Sequence, residues 1–275
     1  MSDYLGSILA RKRREVARRH AHATLAACAA QRLDEHEPQD RGALAVQRLR
    51  RSADAPPRVI AEIKMRSPSA GPIRSRSAGL IQAIARDYVA GGAAAVSVLC
   101  DGPGFGGSPL DVRRAAAAIT APVLFKEFVL DPIQVTLARS VGAHMVLLLV
   151  RAVEPGVLGE LVEEVLRQRM APVVEAADEN ELEIALATRA TLIGVNARDL
   201  RTFRVDPERA RRAIARIPSG RVAVHMSGVV STEDFLAVAA SRADVVLIGE
   251  ALMRDPAPSV RLREWLAACA ATTSR

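Results

Sequence analysis

From Arg58 onward the chain alternates between short apolar, β-branched runs and longer stretches of helical period. The runs are Arg58–Lys64, Ala94–Leu99, Pro122–Lys126, His144–Leu149, Pro172–Glu175, Thr191–Val195, Val222–Met226 and Asp244–Ile248. Between them lie amphipathic stretches at Leu80–Ala90, Pro109–Ile119, Pro132–Val141, Pro155–Arg169, Glu179–Ala187, Pro207–Ile217 and Thr232–Ala240. Strands that alternate with helices of about 10–15 residues form βαβ units, and these require a parallel sheet covered by helices. Eight such strands without a reversal predict closure into a (β/α)8 TIM barrel. The 275 residues suit that fold, which typically needs about 250. The runner-up is a doubly wound open sheet, whose first βα turn should carry G-x-G-x-x-G. Here that turn reads Lys64-Met65-Arg66-Ser67-Pro68-Ser69-Ala70-Gly71. Residues 1–275 therefore read as one barrel domain, of which 1–57 is an N-terminal helical extension. Within that extension Gln31–Gly42, charged and broken by Pro38, reads as a surface connector.

Hydrophobic residues make up 49% of the chain but aromatics only 3%, so Val, Ile, Leu and Ala must fill the core. Apolar runs such as Met145 to Val150 fall far short of the roughly 20 residues that span a bilayer. The N-terminus lacks the charged-then-apolar design of a signal peptide. Cys28, Cys100 and Cys269 are odd in number and show no metal-ligand spacing, which fits a reducing compartment. These features predict a cytoplasmic protein, a monomer or weak homo-oligomer, with no membrane partner. The net charge of +7 raises the question of nucleic acid. The densest basic run, Arg11 to His20, has no interleaved aromatic for base stacking, so no nucleic-acid partner is expected. Leu5, Leu9, Val16 and Leu25 recur at helix-like intervals, and the run reads as the solvated face of an amphipathic helix.

Among 38 lysines and arginines only Lys12, Lys64 and Lys126 are lysine. A composition this biased uses arginine wherever a positive charge suffices. Lysine offers a compact ammonium that can donate a proton or form a Schiff base, which guanidinium cannot. Lys64 and Lys126 each close a predicted strand, and two lysines at equivalent strand ends point to chemistry rather than to chance placement beside a carboxylate.

Active sites of such barrels lie at the C-terminal ends of the strands. Those ends carry Glu62 and Lys64, then Lys126 and Phe128, Glu175, Asn196 and Arg198, Ser227-Gly228, and Gly249-Glu250. Residues two apart on a strand face the same way, so Glu62 and Lys64 share a face. Two lysines and two glutamates around one mouth can hold a proton donor beside a proton acceptor. The glycines after strands seven and eight predict a phosphate site, since exposed backbone N–H groups and a helix N-terminus there bind anions.

These motifs, taken in order, resemble the indole-3-glycerol-phosphate synthase family of tryptophan biosynthesis. The resemblance is carried by Ile60-Ala61-Glu62-Ile63-Lys64 with Ser67-Pro68-Ser69, by Phe105-Gly106-Gly107-Ser108, and by Leu124-Phe125-Lys126-Glu127-Phe128. It continues through Val174-Glu175, Gly194-Val195-Asn196-Ala197-Arg198-Asp199-Leu200, Thr202-Phe203, Ser227-Gly228 and Ile248-Gly249-Glu250-Ala251-Leu252-Met253. It implies a carboxy-lyase that closes 1-(2-carboxyphenylamino)-1-deoxyribulose 5-phosphate to indole-3-glycerol phosphate, releasing carbon dioxide and water. Lys126 is then the general acid, Glu175 its acid/base partner, and Lys64 a group close to the reacting atoms, with Glu62 and Asn196 orienting them. Ser67, Phe105, Phe128, Arg198 and Leu200 would line the anthranilate and ribulose parts. Ser227, Gly228, Gly249 and Glu250 would hold the phosphate, the last two through backbone N–H. The only partner implied is the phosphorylated small molecule; no metal or organic cofactor is implied.

The chain departs from the family pattern in three places. Glu127 stands where aspartate is usual, and Ala197 where a second asparagine is. Met226 replaces the glutamate that normally precedes Ser-Gly, so a polar contact is lost, since a thioether is at best a weak acceptor. His225 alternates to the opposite side of the strand, as a packing residue. Two other readings stay open on the residues alone. One is a Schiff-base aldolase barrel using Lys126; the other is a non-catalytic barrel that binds a phosphorylated ligand.

Overall fold

The eight expected strands are all present, as β1 (Arg58–Ile63), β2 (Ala95–Leu99), β3 (Val123–Lys126), β4 (Met145–Leu149), β5 (Ala171–Ala176), β6 (Leu192–Asn196), β7 (Val222–Met226) and β8 (Val245–Ile248). The computed structural model describes residues 4–21, 40–52, 55–68, 71–199 and 204–273. Every barrel pairing is parallel, and β1 bonds to both β2 and β8, with Ile60 opposite Ala95 on one side and Leu247 on the other. Closure excludes the open doubly wound sheet. Boundaries move by a residue or two: Lys64 lies just beyond β1, and β5 gains Ala171 and Ala176.

Alternation along each strand sorts the core into two clusters. Val59, Ala61 and Ile63 pack outward against the helices, while Ile60 faces the lumen with Leu124, Met145, Leu147, Val173, Val224 and Leu247. Burying each such aliphatic side chain stabilises the fold by about 1.5–3 kcal/mol. Three helices begin with a capping residue followed by proline, at Ser108-Pro109, Asp131-Pro132 and Asp206-Pro207. The side chain of each cap accepts an orphan N–H, and proline suits the first turn because it has no N–H to leave unpaired. Such firm starts hold the strand-to-helix loops, and the side chains on them, in fixed places. A further helix, Pro258–Thr273, not foreseen from the sequence, buries Trp265 in a stacked contact with Phe235 at 5.6 Å.

The extension contributes α1 (Tyr4–His20) and α2 (Arg41–Leu49), which pack at opposite ends of the barrel. Asp40 caps α2 by accepting the Ala43 N–H at 2.8 Å. Gly42 donates to the Arg169 carbonyl at 2.9 Å, and Ala45 and Leu49 are buried beside the strand-start residues Ala171, Val222 and Val245. The expected connector Gln31–Gly42 thus ends at Asp40, because Arg41 and Gly42 already belong to α2; residues 31–39 lie outside the described residues. At the other end α1 buries Leu5, Ile8 and Leu9 in the cluster that holds Phe128. Its basic run corrects the reading of a uniformly solvated face. Arg13, Arg14, Arg18 and Arg19 are exposed, but Lys12 is buried at 3% exposure. Lys12 continues the apolar stripe of Leu5, Ile8 and Leu9, and two carboxylates of the barrel lie beneath it.

Candidate active site

The charged strand ends converge at the C-terminal mouth. Glu62 bridges both lysines, with Oε1 at 3.3 Å from Lys64 Nζ and Oε2 at 4.0 Å from Lys126 Nζ. Lys126 Nζ also lies 3.6 Å from Glu175 Oε2. Asn196 on β6 donates from Nδ2 to Glu175 Oε1 at 2.9 Å, and its Oδ1 accepts the Arg198 N–H at 3.0 Å. Both contacts agree on the orientation of that amide. Glu175 is 4% exposed, and its Oε2 has no hydrogen-bond partner among the described residues. A buried carboxylate oxygen with spare lone pairs, facing an ammonium, is a ready proton acceptor or relay.

One pocket contains these groups and nearly all the other expected site residues. Ser67, Phe105, Phe128, Arg198, Ser227, Gly228, Gly249 and Glu250 line it together with Glu62, Lys64, Lys126, Glu175 and Asn196. Leu200 lies outside the described residues, as do Ser69, Thr202 and Phe203. Phe105 and Phe128 form one wall, their ring centroids 6.3 Å apart. The opposite rim is the turn after β7, where Ser227 and Gly228 both adopt left-handed backbone, at φ 68° and 84°. Glu250 pairs with Arg254 at 3.1 Å. Gly249 matters sterically: a Cβ there would lie 2.6 Å from Glu62 Oε1 and displace the carboxylate that bridges the lysines. The pocket is lined by charges of both signs, Lys64, Lys126 and Arg198 beside Glu62, Glu127, Glu175 and Glu250. Two of these carboxylates are paired with cations outside its lining, Glu127 with Lys12 and Glu250 with Arg254.

The floor of the pocket was not foreseen. Leu147, Leu149 and Leu247 line it, and the signal for them was their alternation with outward-facing neighbours on β4 and β8. Met226 joins this apolar floor, 1% exposed, and its Cε occupies the space that a side chain at Gly194 would need. His225 faces away, buried, with Nε2 donating to the Ser227 carbonyl at 3.0 Å. Burial lowers its pKa to about 4, so it is neutral at physiological pH. Glu127 also lines the pocket, and its Oε2 pairs with Lys12 Nζ at 2.9 Å.

A family model described as indole-3-glycerol phosphate synthase matches residues 5–265. The chain belongs to the indole-3-glycerol phosphate synthase family. It is 45% identical to indole-3-glycerol phosphate synthase 2 of Streptomyces coelicolor over 207 residues, covering 74% of this chain and 79% of the relative. It is 38% identical to indole-3-glycerol phosphate synthase of Dechloromonas aromatica over 268 residues, covering 97% of this chain and 100% of the relative. Among solved structures, tryptophan synthase subunit alpha of Legionella pneumophila is similar with a TM-score of 0.54 at 13% identity. That match covers 78% of this chain and 92% of the other, and the likeness is one of fold. Membership of the indole-3-glycerol phosphate synthase family is consistent with the mouth described above, a pocket of paired lysines and carboxylates with one aromatic wall.

Proposed function

We propose that this chain converts 1-(2-carboxyphenylamino)-1-deoxyribulose 5-phosphate to indole-3-glycerol phosphate, and that Lys126 and Glu175 carry the proton transfers. The observation that supports this most is the placement of Lys126 between two carboxylates, one of which faces it with a buried oxygen that has no hydrogen bond among the described residues. The ring carbon that bears the carboxylate attacks the ribulose ketone. The carbonyl π electrons move to oxygen, and Lys126 delivers a proton there. Carbon dioxide then leaves, and its bonding pair restores the aromatic ring. The new hydroxyl departs as water after protonation, and loss of a proton from the adjacent CH2 completes the indole double bond. Glu175 takes up or relays these later protons, and Lys64, tied to Glu62 at 3.3 Å, steadies the developing charges.

Phe105 and Phe128 offer a face for the anthranilate ring. Arg198, Ser227, Gly228 and the backbone of Gly249 and Glu250 take the ribulose and phosphate end. The test is direct: purified protein is mixed with the substrate while indole absorbance and fluorescence are followed and carbon dioxide is collected. Equal amounts of indole product and carbon dioxide are expected. Binding without turnover would instead favour a phosphate-ligand-binding barrel, and borohydride trapping of the substrate on Lys126 would favour Schiff-base chemistry.

A further inference from the structure

Lys12 is the one lysine that the reaction leaves unused, and it is the most buried of the three. Its Nζ lies 2.9 Å from Glu127 Oε2, 2.9 Å from Glu15 Oε2 and 3.1 Å from Asp101 Oδ1. Arg11 reaches the same Asp101 oxygen at 2.7 Å. The second oxygen of each barrel carboxylate is bonded to backbone. Glu127 Oε1 accepts the Phe128 N–H at 2.8 Å, and Asp101 Oδ2 accepts the Gly104 N–H at 2.7 Å, capping the single turn Gly102–Phe105. Each carboxylate therefore joins Lys12 to the segment that carries one ring of the aromatic wall.

Burial opposes the charge on Lys12, but Glu127, Glu15 and Asp101 outweigh it and hold the ammonium protonated well above its ordinary range. Burial likewise pushes Asp101 up, and Lys12 with Arg11 more than reverses this, so its carboxyl ends below the usual range. Glu127 goes the other way, burial keeping it above the usual range despite Lys12, so Asp101 is the firmer counter-charge. A buried ionic cluster adds little net stability over packed apolar residues, because desolvation consumes the Coulombic gain. Its geometric effect is then the better account of why it is here.

We propose that Lys12 is a positioning residue, which through Glu127 and Asp101 fixes Phe128 and Phe105 as the wall that receives the aromatic part of the substrate. This rests on the reading of the pocket given above. The consequence is that the N-terminal helix tunes substrate binding from outside the barrel, with no atom in the reacting cluster.

Lys12→Met in the full-length protein tests it by two independent readouts. Amide hydrogen exchange should quicken in segments 101–107 and 126–130 while 171–196 keeps its protection. For the anthranilate-derived substrate, KM should rise about tenfold with kcat within about threefold, the pattern of lost uniform binding. Lys12→Arg, which keeps charge and donors, should restore most of both. If Lys12→Met does not fold, the double variant Lys12→Met/Glu127→Gln removes two of the three buried charges, leaves Asp101 paired with Arg11, and is read in the same way. Unchanged exchange in the two segments overturns the proposal, and so does faster local exchange with an unaltered KM. A wild-type protein without turnover would sink the reaction assignment instead, while selective loosening of the two segments would still support the positioning role.

Discussion

Lys126 Nζ stands 3.6 Å from Glu175 Oε2, the carboxylate oxygen left without a hydrogen bond among the described residues. Asn196 holds the other oxygen of Glu175 at 2.9 Å, so the carboxylate cannot turn away without losing that bond. The pair is thus oriented before any ligand arrives, which is the condition for efficient proton transfer.

Glu175→Gln keeps an oxygen for Asn196 but removes the charge and the proton acceptor. Turnover should fall by about 10² to 10⁴, with binding of the phosphate end retained. Steady-state kinetics together with a thermal melt checks this. A variant that unfolds with no specific kinetic defect would make Glu175 a structural ion-pair partner only.

Met226→Glu introduces a carboxylate into the apolar floor, beside Gly194 and within reach of a mouth that already holds Lys64 and Lys126. Those ammonium groups compensate the new charge. Turnover should rise or stay level, and stability should change by no more than about 2 kcal/mol. Loss of activity with the fold intact would mean that the pocket is built around an apolar group and that its substrate differs from the one proposed.

His225 gives a pH signature. Its pKa is about 4 in the folded protein against 6.5 for an unperturbed histidine, because burial disfavours the imidazolium. As pH falls the unfolded chain takes up this proton first, so the contribution is complete above pH 6.5 and is lost as pH drops toward 4. The loss amounts to about 3 kcal/mol. His225→Gln keeps a donor for the Ser227 carbonyl but does not titrate. Urea unfolding of the two proteins between pH 7 and 4 should show a shallower decline for the variant; parallel curves would contradict the assignment.

The barrel was legible because its signals are local and repeated. Each strand is a short apolar run, and several helix starts carry their own side-chain cap, as at Asp131-Pro132. The charged groups that meet at the mouth were legible because they end strands, where the fold leaves side chains little choice of direction. Lys12 was obscured by composition: in a run with Arg11, Arg13 and Arg14 its charge looked like theirs. The signal that could have found it is its spacing from Leu5, Ile8 and Leu9, which sets it on the buried stripe. What no single sequence shows is that Asp101 and Glu127, 26 residues apart in the chain, meet under that stripe. The helix Pro258–Thr273 went unnoticed because it follows the last strand, outside the strand–helix alternation that revealed the others.

The claim that Lys126 supplies a proton, and not merely a charge, is tested most directly by Lys126→Arg. Guanidinium keeps the positive charge between Glu62 and Glu175 but does not release its proton at working pH. Indole formation measured over a range of substrate concentrations should fall by about 10² to 10⁴ in kcat, with KM within about tenfold of wild type. Near-normal turnover in that variant would contradict the account, because charge alone would then suffice at this position.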